Sequence, residues 1–195
     1  MTGWTRRRLL RAAGAGAAVV GGGAAIGSRG GADSQAAPSA DTDAQILNYF
    51  LLLEYLQEAL YREGLRRAGL TGELAAYARA VGPQETEHAA FLAKRLGDRA
   101  RPRPRPDFGA ALSTPERFRA AAIDLEETAI AAYIGQGANL TRQTVGAVGT
   151  LLSVEARQAA WLRSLAGTLP APSAADPARK PTEVMAHLRS EGIVA

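Results

Sequence analysis

The chain of 195 residues contains no cysteine, which excludes disulfides, thiolate metal ligands and lipid attachment through a lipobox cysteine. Any bound metal must therefore be held by oxygen and imidazole, and only two histidines, His88 and His187, are present. No stretch offers the roughly 20 strongly apolar residues that a membrane span needs, so no stable span is expected in the mature protein. Sustained period-two alternation is also missing, which leaves an all-helical body.

The basic excess is confined to the front. Of 23 basic and 19 acidic residues, the first 36 positions hold Arg6, Arg7, Arg8, Arg11 and Arg29 against Asp33, so 18 of each sign remain in a neutral body. A nucleic-acid partner is thereby excluded, since its electrostatic footprint is absent apart from the run Arg99–Pro106, read as a solvated connector. Thr5-Arg6-Arg7-Arg8-Leu9-Leu10-Arg11, followed by a weakly apolar Ala/Gly stretch to Ile26 and small polar residues to Ala40, reads as an export signal resembling the twin-arginine type. Cleavage is expected between Ala25 and Ala37. The expected partner is the twin-arginine machinery, and the expected location is periplasm, cell envelope or exterior.

Helical periodicity organises the rest. Thr42-Asp43-Ala44-Gln45 has the form of a capping box opening a first helix that stops at Gly69. Thr71 opens a second, running to Gly97 and interrupted by Gly82-Pro83, where proline is expected to kink it. The Arg/Pro run to Asp107 forms an extended spacer. Ser113-Thr114-Pro115-Glu116 starts a third helix, reaching about Ala138, and a fourth follows Asn139-Leu140-Thr141 to Gly167. After a loop from Pro170 to Pro181, Thr182-Glu183 caps a short terminal helix. The expected organisation is residues 1–40 as signal and linker, 41–168 as a four-helix bundle with a crossover between helices 2 and 3, and 169–195 as a tail with a short helix. Two tight hairpins joined by one longer connection are what a single-crossover bundle requires.

Each long helix carries an acidic residue amid apolar neighbours: Glu54, Glu85, Glu126 and Glu155. An ionised carboxylate in such surroundings must be protonated, paired or bound to a cation. Their depths agree. Measured from turns near Leu70 and Leu140, the four lie 16, 15, 14 and 15 residues away, roughly 22 Å along the helices. His88 stands three after Glu85 and Gln158 three after Glu155, and an i, i+3 pair shares a helical face, so Glu85 and His88 can reach one cation. The alternatives are carboxylates that are protonated or paired with Arg79 or Arg157, and a ligand register shifted to Glu87 or Glu127. His187 is expected at the surface. Tyr55, Tyr61, Tyr77 and Tyr133 are expected in the core with polar tips.

With these stretches in hand (Ile46–Tyr55, Glu85–His88, Leu125–Tyr133 and Val154–Ala160), the chain resembles the ferritin-like superfamily, and in particular exported ferritin-like proteins grouped with plant desiccation-related proteins. The resemblance implies a two-metal carboxylate site. Glu54, Glu85 and His88 would hold one iron and Glu126 and Glu155 the other, Glu85 and Glu155 bridging. Gln158 stands where the fourth helix would supply histidine, and a neutral amide is a poorer ligand. The Gly82-Pro83 kink would displace Glu85. The implied function is binding of iron, as a pair or singly, or of manganese, with oxidation of Fe(II) by dioxygen or peroxide as the candidate ferroxidase or peroxide-consuming activity. The alternative is a non-catalytic structural or stress-related envelope protein with a vestigial site. A homodimer is expected only by analogy.

Overall fold

A computed structural model describes residues 37–194. The segment read as an export signal, with its linker up to residue 36, lies outside the described residues. Five α-helices and two 3₁₀ turns, with no strand among the described residues, make up the fold: α1 Ala40–Arg67, α2 Gly72–Leu96, α3 Pro115–Gly137, α4 Arg142–Leu165 and α5 Pro181–Ser190. The all-helical expectation and the number of long helices both hold.

Helix α1 starts earlier than the sequence pattern suggests. Its N-cap is Ser39, whose Oγ accepts the Thr42 N–H at 3.1 Å, so the Thr42–Gln45 capping box does not form. Asp43, inside that pattern, serves a different helix. Its carboxylate accepts the Thr141 N–H at 2.9 Å and the hydroxyls of Thr141 and Thr144, supplying the cap that Thr141's own side chain does not give α4. Thr114 caps α3 and accepts the Arg117 N–H, with Pro115 at the first helical position. At α5 the N-cap is Lys180, not Thr182; Pro181 takes the first helical position, and Glu183 reaches back to accept the Lys180 N–H at 2.9 Å.

Helix α1 packs on α2 and α3, and α4 packs on α3 and α2, closing a four-helix bundle. Gly82 and Pro83 do not interrupt α2. Gly82 is the point of close approach to α1, because a Cβ there would lie 3.3 Å from Tyr61 Cβ. Gly64 plays the same part on α1, where a Cβ would come within 2.2 Å of the Phe118 ring.

The connection between α2 and α3 runs the length of α1. Near the start of α1, Asn48 donates to the Arg99 carbonyl at 2.9 Å and accepts the Arg101 N–H at 2.8 Å. Further along, Arg103 lies over the Tyr55 ring, 4.3 Å from its centroid, and pairs with Glu58. Phe108 and Leu112 then enter the core beside Leu60 and Phe118. This is the expected crossover, and it makes α2 and α3 parallel. The Arg/Pro run, expected to be a solvated connector, is fastened on one side: arginine supplies the planar cation for Tyr55 while proline keeps the segment extended.

The C-terminal segment is part of the packed body as well. Val184 and Leu188 are fully buried in the same apolar cluster as Leu60 and Phe118, and the Arg179 N–H donates to the Ala131 carbonyl at 3.0 Å. His187, expected at the surface, instead meets Asp124 of α3 at 2.7 Å and is half-buried. Among the described residues, no helix is long and apolar enough to cross a membrane.

Candidate metal centre

All four carboxylates expected at mid-helix are buried: Glu54, Glu85, Glu126 and Glu155 are each 0% exposed, and His88 is 6% exposed. No arginine pairs with any of them among the described residues; Arg79 and Arg157 are exposed. Glu87 is exposed and Glu127 pairs with Arg163 at 2.9 Å on the surface, so neither replaces a buried acid.

One group converges tightly. Ligand-type atoms of Glu54, Glu85, His88 and Glu155 all lie within 4.8 Å of one another. His88 Nδ1 is 2.9 Å from Glu155 Oε1, 3.2 Å from Glu85 Oε2 and 3.3 Å from Glu54 Oε2. A ring nitrogen carries at most one proton, so it cannot hydrogen-bond all three. Despite being sealed from water, Glu54 Oε2, both Glu85 oxygens, Glu155 Oε1 and His88 Nδ1 lack an aligned hydrogen-bond partner. Neighbouring ligands on an octahedral or tetrahedral ion with bonds of about 2.1 Å are separated by about 3.0–3.4 Å, which brackets most of these spacings. Three carboxylates with one imidazole is also a donor set suited to iron or manganese. These residues fit a cation. Pro83 does not displace Glu85 from the group.

Glu126 and Gln158 lie in the other half of the centre. Glu126 Oε1 accepts the Tyr61 hydroxyl, and its Oε2 accepts Gln57 Nε2 at 2.9 Å. Gln57 Nε2 also donates to Glu155 Oε2 at 2.8 Å, so one amide joins the two acids. Gln158 turns its own Nε2 to Gln84 Oε1 at 3.0 Å.

Two tyrosines lock the arrangement reciprocally. Tyr133 of α3 donates to Glu54 Oε1 of α1, and Tyr61 of α1 donates to Glu126 of α3. Each tyrosine stands seven residues after the glutamate of its own helix, almost two turns on and therefore on the same face. Tyr77 extends the second lock, its hydroxyl 3.2 Å from that of Tyr61. The reading of these three as core residues with polar tips therefore holds, but their tips serve the carboxylates; Tyr55 is half-buried under Arg103.

Proton affinities follow from this packing. Burial, then the charge of Glu155, raises the pKa of Glu54 against the opposing bonds from His88 and Tyr133. The same two causes push Glu85 and Glu126 well above the usual carboxylate range. Burial acts to lower His88, but its contacts with Glu155, Glu54 and Glu85 outweigh it and push the imidazole up to about 12. Without a cation, the group must hold protons that a metal would replace.

Gln57, Gln84 and the tyrosine locks were not read from the sequence. A signal for Gln57 was present: it stands three after Glu54, echoing Glu85/His88 and Glu155/Gln158.

A single-crossover helical bundle with acids from all four helices and a Glu-x-x-His pair at its centre defines the class of carboxylate-rich four-helix bundles, an architecture compatible with metal binding. The ferritin-like domain family model matches residues 42–168, and the chain belongs to that family. Comparison with curated protein sequences finds no match.

Proposed function

We propose that this protein binds a divalent transition-metal ion, iron or manganese, through Glu54, Glu85, His88 and Glu155. The observation that carries the reading is the convergence of partnerless, solvent-sealed ligand atoms from four residues, Glu54, Glu85, His88 and Glu155, on one point. Such an ion would supply one-electron exchange with dioxygen or peroxide, and Fe(II) oxidation is the activity to assay. The chain's own residues do the positioning: Tyr133 fixes the rotamer of Glu54, the i, i+3 spacing on α2 aims Glu85 and His88 together, and the apolar shell excludes water. The Thr5–Arg11 pattern supports export by the twin-arginine route, with the ion inserted before export; a fusion whose passage stops on Arg6→Lys/Arg7→Lys substitution would bear this out.

Elemental analysis of protein purified without chelator, beside a Glu85→Ala/His88→Ala variant, tests the binding. Iron or manganese near stoichiometry, lost in the variant, is the expected result. Wild-type protein that is metal-free and takes up neither Fe(II) nor Mn(II) anaerobically refutes it. In that case the second reading stands, a non-catalytic stress- or desiccation-related envelope protein with a vestigial centre, which the neutral Gln57 amide between Glu126 and Glu155 favours.

A further inference from the structure

We infer that the centre holds one cation per chain and not two, because the Gln57 side-chain amide occupies the position that a second cation would take between Glu126 and Glu155. The inference rests on the metal-binding reading above and goes beyond it by fixing the number of ions and the residue that sets it.

The two hairpins repeat one another, so the halves of the centre can be compared residue by residue. Glu54 corresponds to Glu126, Glu85 to Glu155, His88 to Gln158 and Tyr61 to Tyr133. The counterpart of the group Glu54, Glu85, His88 and Glu155 is thus Glu126, Glu155, Gln158 and Glu85. In the first half, ligand atoms face one another with no amide between them, and none has an aligned partner. In the second, Gln57 Nε2 sits 2.9 Å from Glu126 Oε2 and 2.8 Å from Glu155 Oε2, one amide hydrogen for each acid. Glu155 spans the two halves, with Oε1 toward His88 Nδ1 and Oε2 toward Gln57. The amide therefore stands at the far end of what would be a bridging carboxylate.

Two further features bear on this half, and a third on the other. The remaining Glu126 oxygen is taken by the Tyr61 hydroxyl. Gln158 donates its Nε2 to Gln84, which leaves the buried Oε1, a weaker ligand than the imidazole of His88, without a partner. The counterpart of Gln57 in the repeat is Ala129, fully buried, whose methyl leaves the first half open where Gln57 fills the second. Amide N–H groups present positive dipole ends to the carboxylates, a weak neutral substitute for a cation that also repels one. Two ions bridged by a shared carboxylate, and two-electron chemistry across them, have no place here.

Anaerobic titration of the full chain, stripped of metal and loaded with Mn(II), counts the ions, and electron paramagnetic resonance reports whether they are coupled. The wild type is expected to bind one Mn(II) per chain with the signal of an isolated ion. Gln158→His alone restores a ligand but leaves the amide, and should still bind one. Gln57→Ala/Gln158→His should bind two, about a twofold rise in stoichiometry, with an exchange-coupled signal. Two coupled ions in the wild type would overturn the inference while leaving metal binding intact, since Gln57 would have to turn its Oε1 inward. A second ion gained on Gln158→His alone would overturn it too, by showing that the missing histidine and not the amide sets the count. No ion in the wild type refutes the metal-binding reading and the inference with it. The wild-type and Gln158→His measurements decide the matter even if the double variant does not fold.

Discussion

Replacing Glu85 by leucine should make the metal-free protein more stable while abolishing its response to metal. Glu85 is fully buried and neither of its oxygens has an aligned partner. His88 Nδ1 stands nearer to Glu155, at 2.9 Å, than to Glu85, at 3.2 Å. Glu85 is also the one carboxylate of the group with no aligned partner on either oxygen, since Tyr133 holds one oxygen of Glu54 and Gln57 one of Glu155. Replacing a poorly compensated buried ionisable group by an apolar side chain of similar volume stabilises by about 1–4 kcal/mol. At about 2–4 °C per kcal/mol for a domain of this size, Glu85→Leu should raise the metal-free melting temperature by roughly 2–16 °C. Mn(II) at a hundredfold excess over its dissociation constant should stabilise the wild type by about 2.7 kcal/mol and leave the variant unchanged. Calorimetric melts at neutral pH after chelator dialysis, repeated with Mn(II), measure both effects. A metal-free variant destabilised by about 3–5 kcal/mol would refute the reasoning, because that is the cost of breaking a buried ion pair and would make Glu85–His88 a structural pair.

The metal-free protein should lose stability as pH rises. Folded pKa values raised above their unfolded ones mean that the folded state binds more protons, so stability is lost from about 4.5 upward for Glu54, Glu85 and Glu126, and between 6.5 and about 12 for His88. Melts across that range should slope downward without metal, and metal affinity should strengthen over the same range as ligand protons leave; a flat metal-free profile contradicts the assignment. Asp43 has the opposite sign. Burial acts to raise its pKa, but hydrogen bonds from Thr141 and Thr144 outweigh it and hold it below 3.8, so its contribution is present above that pH and lost as pH falls through the folded value. Asp43→Ala should cost about 1–2 kcal/mol in urea denaturation at neutral pH, and less below pH 3.8. Gly64→Ala would ordinarily favour a helix by up to about 1 kcal/mol. Here the new methyl meets the fully buried Phe118 ring at 2.2 Å, so a cost of about 1–3 kcal/mol is expected, and a stabilised variant would show that α1 and α3 can separate there.

What the sequence showed and what it hid follow from the range of the interactions involved. The four glutamates were legible because burying an acid is costly enough to stand out amid apolar neighbours, and their equal depth follows from helix rise alone. Helix ends were less legible. The cap of α1 moved three residues because Ser39 and Thr42 are both competent caps and Ser39 takes the Thr42 N–H, while Asp43, inside the expected box, serves Thr141 98 positions away. Gly82-Pro83 looked like a break because local propensity penalises both residues. In the bundle, the missing Cβ of Gly82 is what lets α2 approach Tyr61.

The asymmetry of the centre was the least visible feature, although its signal lay in the sequence. Comparing the hairpins by their acids alone makes them nearly equivalent and points to Gln158 as the one departure. Carrying the comparison one turn further, to the third residue after each glutamate, pairs Gln57 on α1 with Ala129 on α3 and His88 with Gln158. Two differences then appear, and they act on opposite halves. Histidine and alanine together leave one half with a ligand and room for an ion, whereas glutamine at both positions fills the other with an amide donor and withholds a nitrogen ligand. Of the two, the amide decides: Gln158 beside an alanine could still admit an ion to the carboxylates, whereas a histidine in its place beside Gln57 would face an amide already bonded to them. A repeated motif is thus informative at the positions where the repeats disagree, provided that each disagreement is read for the space it fills as well as for the ligand it removes.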